Sequence, residues 1–243
     1  MNASSINCSM AILILCFMAK MVCSDSGEAT WYGGNPTGNS CGYNGIPTSS
    51  FPYNYYAAVG GDYWKLGYQC GACYQITCTG AGTGDSNCGC TSTPTVTVQV
   101  ADKCPECSTN RPSVIFDLSP AARARISTCG ITAIQYERVS CDYQSNIVVR
   151  NKEGTSRWWF GFHVGNVANR GALSSVEIIS NSFQWYDCDF VYENFWLCND
   201  GQPIADDLPY DVKFIADDGT EVLAYDAITS FTASAQFDTG INF

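Results

Sequence analysis

Cysteine placement constrains this chain more than any other feature. Of its fifteen cysteines, three (Cys8, Cys16 and Cys23) fall in the first 23 residues. Ten lie between Cys41 and Cys141, and two, Cys188 and Cys198, follow a stretch of 46 residues without any. Such a density belongs in an oxidising compartment, where disulfides of about 2–4 kcal/mol each reinforce the core. Residues 11–19, AILILCFMA, followed by Lys20, form an apolar run too short to span a bilayer. It reads as the core of a secretory signal cleaved near Val22–Ser24, although no Lys or Arg precedes it. Taking 1–23 as that signal leaves an even set: Cys41, Cys70, Cys73, Cys78, Cys88, Cys90, Cys104, Cys107, Cys129, Cys141, Cys188 and Cys198. The grouping suggests five disulfides in a first domain and one in a second, with connectivity left open. The units Cys70-Gly71-Ala72-Cys73 and Cys104-Pro105-Glu106-Cys107 would suggest zinc in a cytosolic protein. Here the signal and the surplus of cysteine favour disulfides.

The cysteine gap also marks the organisation of the chain. Residues 24–143 are rich in Gly, Thr, Ser and Tyr, with short alternating runs such as TVTVQVA (95–101) that read as strands. One helix stands out: Ser119 as N-cap, Pro120 at the first helical position, AARARI after it, and Cys129-Gly130 as the stop. A strand over 131–139 follows. These signals make the first domain mostly β with one helix, a small barrel. The boundary falls near Asp142–Asn146 without a long linker, so the two domains should touch. Residues 144–243 show alternating segments at 147–151, 157–165, 175–180, 211–216 and 221–225 and no convincing helix, which reads as a β-sandwich. Asp217-Asp218-Gly219 is a hairpin turn within it.

Charge excludes several functions. The net charge is −11 and the isoelectric point near 4.3. The second domain alone carries 5 basic and 14 acidic residues, net −9. Phosphate neutralisation needs clustered Lys and Arg, so nucleic acid is excluded as a partner, as are anionic membranes and acidic polysaccharides. A single histidine, His163, leaves no material for a Ser-His-Asp machine or a multi-imidazole metal site; it reads as a surface or structural residue. No metal or organic cofactor is expected. General acid chemistry then falls to carboxylates. Asp102 ends the strand in VADKCPEC. Asp117 follows Val-Ile-Phe and precedes the capped helix, where apolar neighbours would raise its pKa. Donation to the helix start or to a buried network is the other reading of Asp117.

At these residues a family resemblance appears. ATWYGG (29–34), QCGACYQITC (69–78), VTVQVADKCPEC (96–107), FDLSPAA (116–122) and IQYERVSC (134–141) occur in that order. With KEGTSRWW (152–159) they resemble the expansins and expansin-like proteins over nearly all of the chain beyond residue 23. The resemblance implies a mainly β protein: a six-stranded double-psi β-barrel related to family 45 endoglucanases, then an immunoglobulin-like β-sandwich that binds cellulose or a related β-glucan. It implies a secreted monomer that loosens walls by disrupting non-covalent polysaccharide contacts. Asp117 matches the family's essential carboxylate and Asp102 the Asp of a preceding motif. Thr30 and Tyr32 match the Thr and aromatic of the opening motif, and all four would line an open groove. Ile115 replaces a His usual in plant members, which bacterial members also lack. The related hydrolases carry a base Asp in their opening motif; that position is Gly34 here. Inverting glycosidases need two carboxyls about 6.5–9.5 Å apart, so a groove without that base would grip a glucan rather than cut it. A weak endo-β-1,4-glucanase using Asp117 as acid, and an inert carbohydrate-binding wall protein, are the alternatives.

In RWWFGFHVG (157–165), period two sends Trp158, Phe160, Phe162 and Val164 one way and Trp159, Gly161, His163 and Gly165 the other. The resemblance puts both Trp158 and Trp159 on the surface, stacking on glucose rings. A bulge or strand start between them would allow this while keeping Phe160 and Phe162 inside. The third aromatic of the row is expected to be Tyr192, with Tyr186, Phe195 and Trp196 as rivals.

Overall fold

The computed structural model describes residues 24–33, 39–43, 55–107, 110–192, 194–199 and 201–243. The proposed signal segment 1–23 and Gly34 lie outside the described residues.

Six strands close into a barrel: β1 (Asp25–Trp31), β2 (Tyr56–Val59), β3 (Cys73–Ala81), β4 (Thr95–Lys103), β5 (Val114–Leu118) and β6 (Thr132–Val139). Their spatial order is β1-β5-β2-β4-β3-β6, with β1/β5 and β2/β4 parallel. Alternation builds the interior. Tyr74, Ile76 and Cys78 on β3, Val96, Val98 and Val100 on β4, and Ile134 and Tyr136 on β6 all point inward and are buried. After β5 the chain turns into α2 (Pro120–Ile126), where the Ser119 hydroxyl accepts from the Ala122 amide at 3.3 Å and Pro120 supplies the fixed φ of a first helical residue. A short α1 (Gly61–Trp64) carried no sequence signal strong enough to announce it.

Eight further strands form the second unit: β7 (Val148–Asn151), β8 (Gly161–Gly165), β9 (Leu173–Ile179), β10 (Trp185–Tyr192), β11 (Phe195–Leu197), β12 (Tyr210–Ala216), β13 (Glu221–Ile228) and β14 (Gln236–Asp238). Their order is β13-β12-β9-β10-β11-β8-β7-β14. β10 serves two partners. Its first half, Trp185 to Cys188, pairs with β9, and its second half, from Asp189, pairs with β11. The ladder thus divides into two layers at Cys188, and Phe160, Phe162, Val164 and Trp196 of one layer pack with Val176, Ile178, Val212 and Phe214 of the other. The chain is therefore mainly β, as expected, with a double-psi-type barrel followed by a second β-sheet unit. The expected strand over 157–165 starts late. Residues 156–159 form a tight turn in which Ser156 and Trp159 exchange main-chain hydrogen bonds, and β8 begins only at Gly161.

The twelve cysteines pair as Cys41–Cys70, Cys73–Cys141, Cys78–Cys90, Cys88–Cys129, Cys104–Cys107 and Cys188–Cys198. Five bridges fall in the barrel and one closes the β10–β11 hairpin.

Barrel and sheet unit meet through close backbone contact. Gly71 and Gly171 lie back to back, both with φ in the left-handed range; a Cβ on either would sit 2.2 Å from the other's carbonyl oxygen. Tyr68 stacks on Phe190 with ring centroids 3.9 Å apart. Arg138 of β6 donates to Gln69 at 2.9 Å and pairs with Asp217 of the β12–β13 turn at 3.2 Å, and Arg170 joins the same carboxylate at 2.8 Å. Tyr143 donates to the Gln99 side-chain oxygen.

Candidate functional site

Strand register assembles the candidate carboxylates into one row. Thr30 is opposite Asp117, Asp117 is opposite Ala58, and Ala58 is opposite Asp102, across the neighbouring strands β1, β5, β2 and β4. Paired residues share a face, so Thr30, Asp117 and Asp102 stand on one side of the barrel wall with Ala58 as the low point between the two acids. Two strand spacings separate the acids, roughly 9–10 Å between their backbones. Beneath the row, Ala58, Cys104, Cys107 and Val114 pack together with Tyr32 against them.

Each acid is held differently. The Thr30 hydroxyl donates to Asp117 Oδ1 at 2.7 Å. Burial raises the Asp117 pKa, opposed by the Thr30 bond and the Arg111 charge and assisted by Glu106 and Asp102. Asp102 instead uses Oδ1 as a brace, accepting from the amides of Ser40 at 2.9 Å and Lys103 at 2.8 Å. The Tyr32 hydroxyl is buried with no hydrogen-bond partner among the described residues. Burial and then the charge of Asp102 push its pKa up, so it remains a phenol that can donate.

A cavity of about 170 Å³ opens beside Asp117. Thr30, Asp117, Glu106, Arg111 and the Cys104–Cys107 bridge line it, and so does Trp31. Trp31, Glu106 and Arg111 escaped the sequence reading. Period two assigns Trp31 to the side opposite Thr30 and Tyr32, yet its half-exposed ring reaches the cavity mouth. There Arg123 of α2 lies 5.5 Å from the ring centroid, its guanidinium fixed on the carbonyls of Cys129 and Thr128. The signal was an aromatic directly beside a site threonine. Tyr32 and Asp102 do not line this cavity; they lie below and beside it.

The aromatic candidates gather around Phe195 of β11: Trp158 and Trp159 come from the 156–159 turn ahead of β8, and Tyr192 from the end of β10. The 156–159 turn breaks the alternation, so Trp158 and Trp159 are 65% and 37% exposed while Phe160 and Phe162 are fully buried. Tyr192 is 45% exposed. Among its rivals, Trp196 and Phe195 are buried, and the Tyr186 hydroxyl accepts from the Ala205 amide beside the core. Trp159 and Tyr192 flank Phe195 with centroids 5.6 and 5.8 Å away, and Lys152 lies over Tyr192 and Phe195.

His163 links the two regions from a buried position. Its ring fills the space a Cβ at Gly42 would take, 2.5 Å away, and its Nδ1 donates to the Asn194 carbonyl. On its other side Phe195 lies 5.7 Å from the ring. Burial first, then Lys152 and Arg150, depress its pKa from the usual 6.5 to about 4. An unfolded chain then takes up a proton at this residue before the folded one does. Stability from this source is complete above pH 6.5 and is lost as the pH falls toward 4. The shift corresponds to a loss on the order of 3 kcal/mol. A His163→Gln variant should show a shallower decline between pH 7 and 4.5 in denaturant titrations; an equal decline in both proteins would remove His163 as the cause.

The architecture defines the class first: a double-psi β-barrel protein with a surface carboxylate row, extended by an aromatic-bearing β-sheet unit. A family model for lytic transglycolases, built on this barrel, matches residues 56–136. Expansin-B16 of Oryza sativa subsp. japonica is 30% identical over 234 residues, covering 88% of this chain and 82% of that protein. Expansin-B4 of Arabidopsis thaliana is 27% identical over 220 residues, covering 84% and 82%. The crystal structure of the apo expansin of Clavibacter michiganensis superposes with a TM-score of 0.71 at 26% identity, covering 90% of this chain and 98% of that one. A mutant of that bacterial expansin, solved in complex with cellohexaose, superposes at 0.67. The chain belongs to the expansin family.

Proposed function

We propose that this is a secreted, monomeric, cofactor-free protein that binds cellulose or a related β-glucan and loosens cellulose-rich walls without hydrolysis. One observation carries the reading: the carboxylate row and the aromatic row are joined by packed residues. Asp102 holds Ser40, Gly42 seats His163, and His163 meets Phe195, which Trp159 and Tyr192 flank. These contacts fix the two rows to each other, so that one polymer can engage Trp158, Trp159 and Tyr192 and also Asp117. Planar rings suit the uncharged, apolar face of a glucan, and the acidic surface repels anionic polymers. The cellohexaose bound by the bacterial relative agrees with this partner.

In this reading Asp117 acts on sugar hydroxyls. Thr30 occupies Oδ1, leaving the second oxygen for substrate, and burial raises the pKa of the carboxyl. Tyr32 packs beneath with its phenol against Asp102, and Trp31 offers a platform at the cavity. The rival reading, weak hydrolysis with Asp117 as acid, is favoured by that raised pKa. It needs a base, and Asp102 has its Oδ1 committed to two main-chain donors.

Extension of a cellulose-based wall strip under constant load, recorded together with released reducing sugar, separates these readings. The wild type should extend the strip without releasing sugar. Asp117→Asn should bind cellulose normally and lose about tenfold or more of the extension, the scale of a hydrogen bond to a charged group. Sugar release lost in the variant would establish hydrolysis instead. Unchanged extension in the variant would leave the barrel groove without a role.

A further inference from the structure

The outer face of the second layer carries exposed rings that the proposed binding row does not use. In β13, β12, β9 and β10 the paired residues Ala224, Val212, Ile178 and Tyr186 face the core. The adjacent register, Trp185 opposite Ile179 and Ile179 opposite Asp211, therefore faces outward. Tyr225, next to core-facing Ala224, points the same way at the register slip beside Asp211, where the Asp226 amide donates to Asp211 Oδ1 at 2.7 Å. Trp185 and Tyr225 are 55% and 72% exposed and stand three strand spacings apart, about 14 Å. Ile179 lies between them on the same outward face and is 5% exposed.

Phe183 stands at the tip of the β9–β10 turn, two residues before Trp185. It is 83% exposed and adopts φ +62, a conformation bulky residues avoid. The turn is fixed: the Phe183 amide donates to the Ser180 carbonyl at 2.8 Å, and Asp207 accepts from the Ser182 amide at 2.8 Å. An apolar ring held at strain in water is a feature associated with ligand contact.

The chemistry of the face selects its occupant. The rings stand among charged groups: Asp211 and Asp226 beside Tyr225, Asp187 two residues beyond Trp185, and Lys213 paired with Glu177 between the outer strands. Dry protein interfaces are depleted of such charges, and the net charge of −11 opposes any anionic partner. A neutral polysaccharide offers both what rings stack on, C–H faces, and what carboxylates accept from, hydroxyls. The Trp158, Trp159 and Tyr192 row belongs to the other layer, whose outward residues are Gly161, His163 and Phe195. Packed layers lie about 10 Å apart with their outer faces directed oppositely.

We infer that the Trp185–Tyr225–Phe183 face is a second β-glucan-binding site, back to back with the first, so that one molecule bridges two polysaccharide chains. This rests on the proposed glucan binding by the first row.

The test is capture of fluorescent, soluble mixed-linkage β-glucan on washed amorphous cellulose preloaded with protein. The wild type should capture it. Trp185→Ala/Tyr225→Ala should still load onto cellulose within twofold but capture about 10²–10³-fold less, the scale expected for losing two stacked rings. Trp185→Phe/Tyr225→Phe should restore capture, which separates loss of the rings from misfolding. Wild type that loads without capturing, or capture undiminished in the Ala variant, overturns the second site and leaves the first intact. A wild type that does not load at all overturns the glucan reading itself. Sedimentation velocity of the same proteins covers the remaining occupant: self-association that disappears with Trp185 and Tyr225 would make the face a contact between copies and overturn the inference.

Discussion

Gly71→Ala is expected to detach the barrel from the sheet unit. Gly71 has φ +88, and its added Cβ would lie 2.2 Å from the Gly171 carbonyl oxygen, a backbone atom that cannot swing aside. Left-handed backbone costs an alanine about 1–2 kcal/mol, and forced overpacking about 1–3 kcal/mol more. The total, roughly 2–5 kcal/mol, falls on the junction while both cores stay intact. Calorimetry should show one unfolding transition splitting into two, and proteolysis near residues 142–146 should accelerate. Gly171→Ala should have the same effect, and the double variant should be scarcely worse, because both changes break one contact. A single unshifted transition in Gly71→Ala would mean that the Tyr68–Phe190 stack and the Arg138–Asp217–Arg170 cluster hold the junction alone.

Trp158→Ala/Trp159→Ala is expected to have the largest effect on binding. Both rings stand on a turn braced by reciprocal Ser156–Trp159 hydrogen bonds, so little ordering is lost when a sugar chain lands. Burying each exposed ring face contributes about 1.5–2 kcal/mol, within the range for a large apolar side chain. Losing both should weaken retention on cellulose about 10²–10³-fold. The melting temperature should hardly move, since the core residues beside them are Phe160 and Phe162. Retention changed less than threefold would remove these rings from the anchor.

The parts of the molecule that local chemistry dictates were legible in the sequence. Ser119-Pro120 starts α2 because an N-cap acceptor and a fixed φ act within one turn of chain. TVTVQVA became a barrel strand because its valines alternate at the pleat period. Asp217-Asp218-Gly219 became a turn because Gly219 supplies the positive φ. What stayed hidden depends on distant chain. His163 alternates with Trp159 and Gly161, which reads as an open face, but the barrel seats Gly42 on its ring. Trp31 reaches the cavity because Arg123, far along the chain, fixes its ring. Tyr192 could not be distinguished from Tyr186, Phe195 and Trp196 because a register slip between Phe190 and Tyr192 interrupts alternation where the reading needed it. Pairing of Thr30 with Asp117, and of Ala58 with both acids, follows from long-range strand pairing, two of the three pairs parallel, that no local pattern encodes.

Strand β10 has a mechanical consequence. Trp185 stands at one end of it and Tyr192 at the other, Phe190 stacks on Tyr68 of the barrel between them, and the Cys188–Cys198 bridge clamps the point where it passes from one layer to the next. A tug on Tyr192 is met as shear by hydrogen bonds to β11 and, past the clamp, to β9, and sideways by the barrel. Shear loads many bonds at once, whereas peeling breaks them singly. The strand is thus anchored like a tension member, and a polymer creeping under load would drag the whole protein along rather than pull a single hairpin out of it.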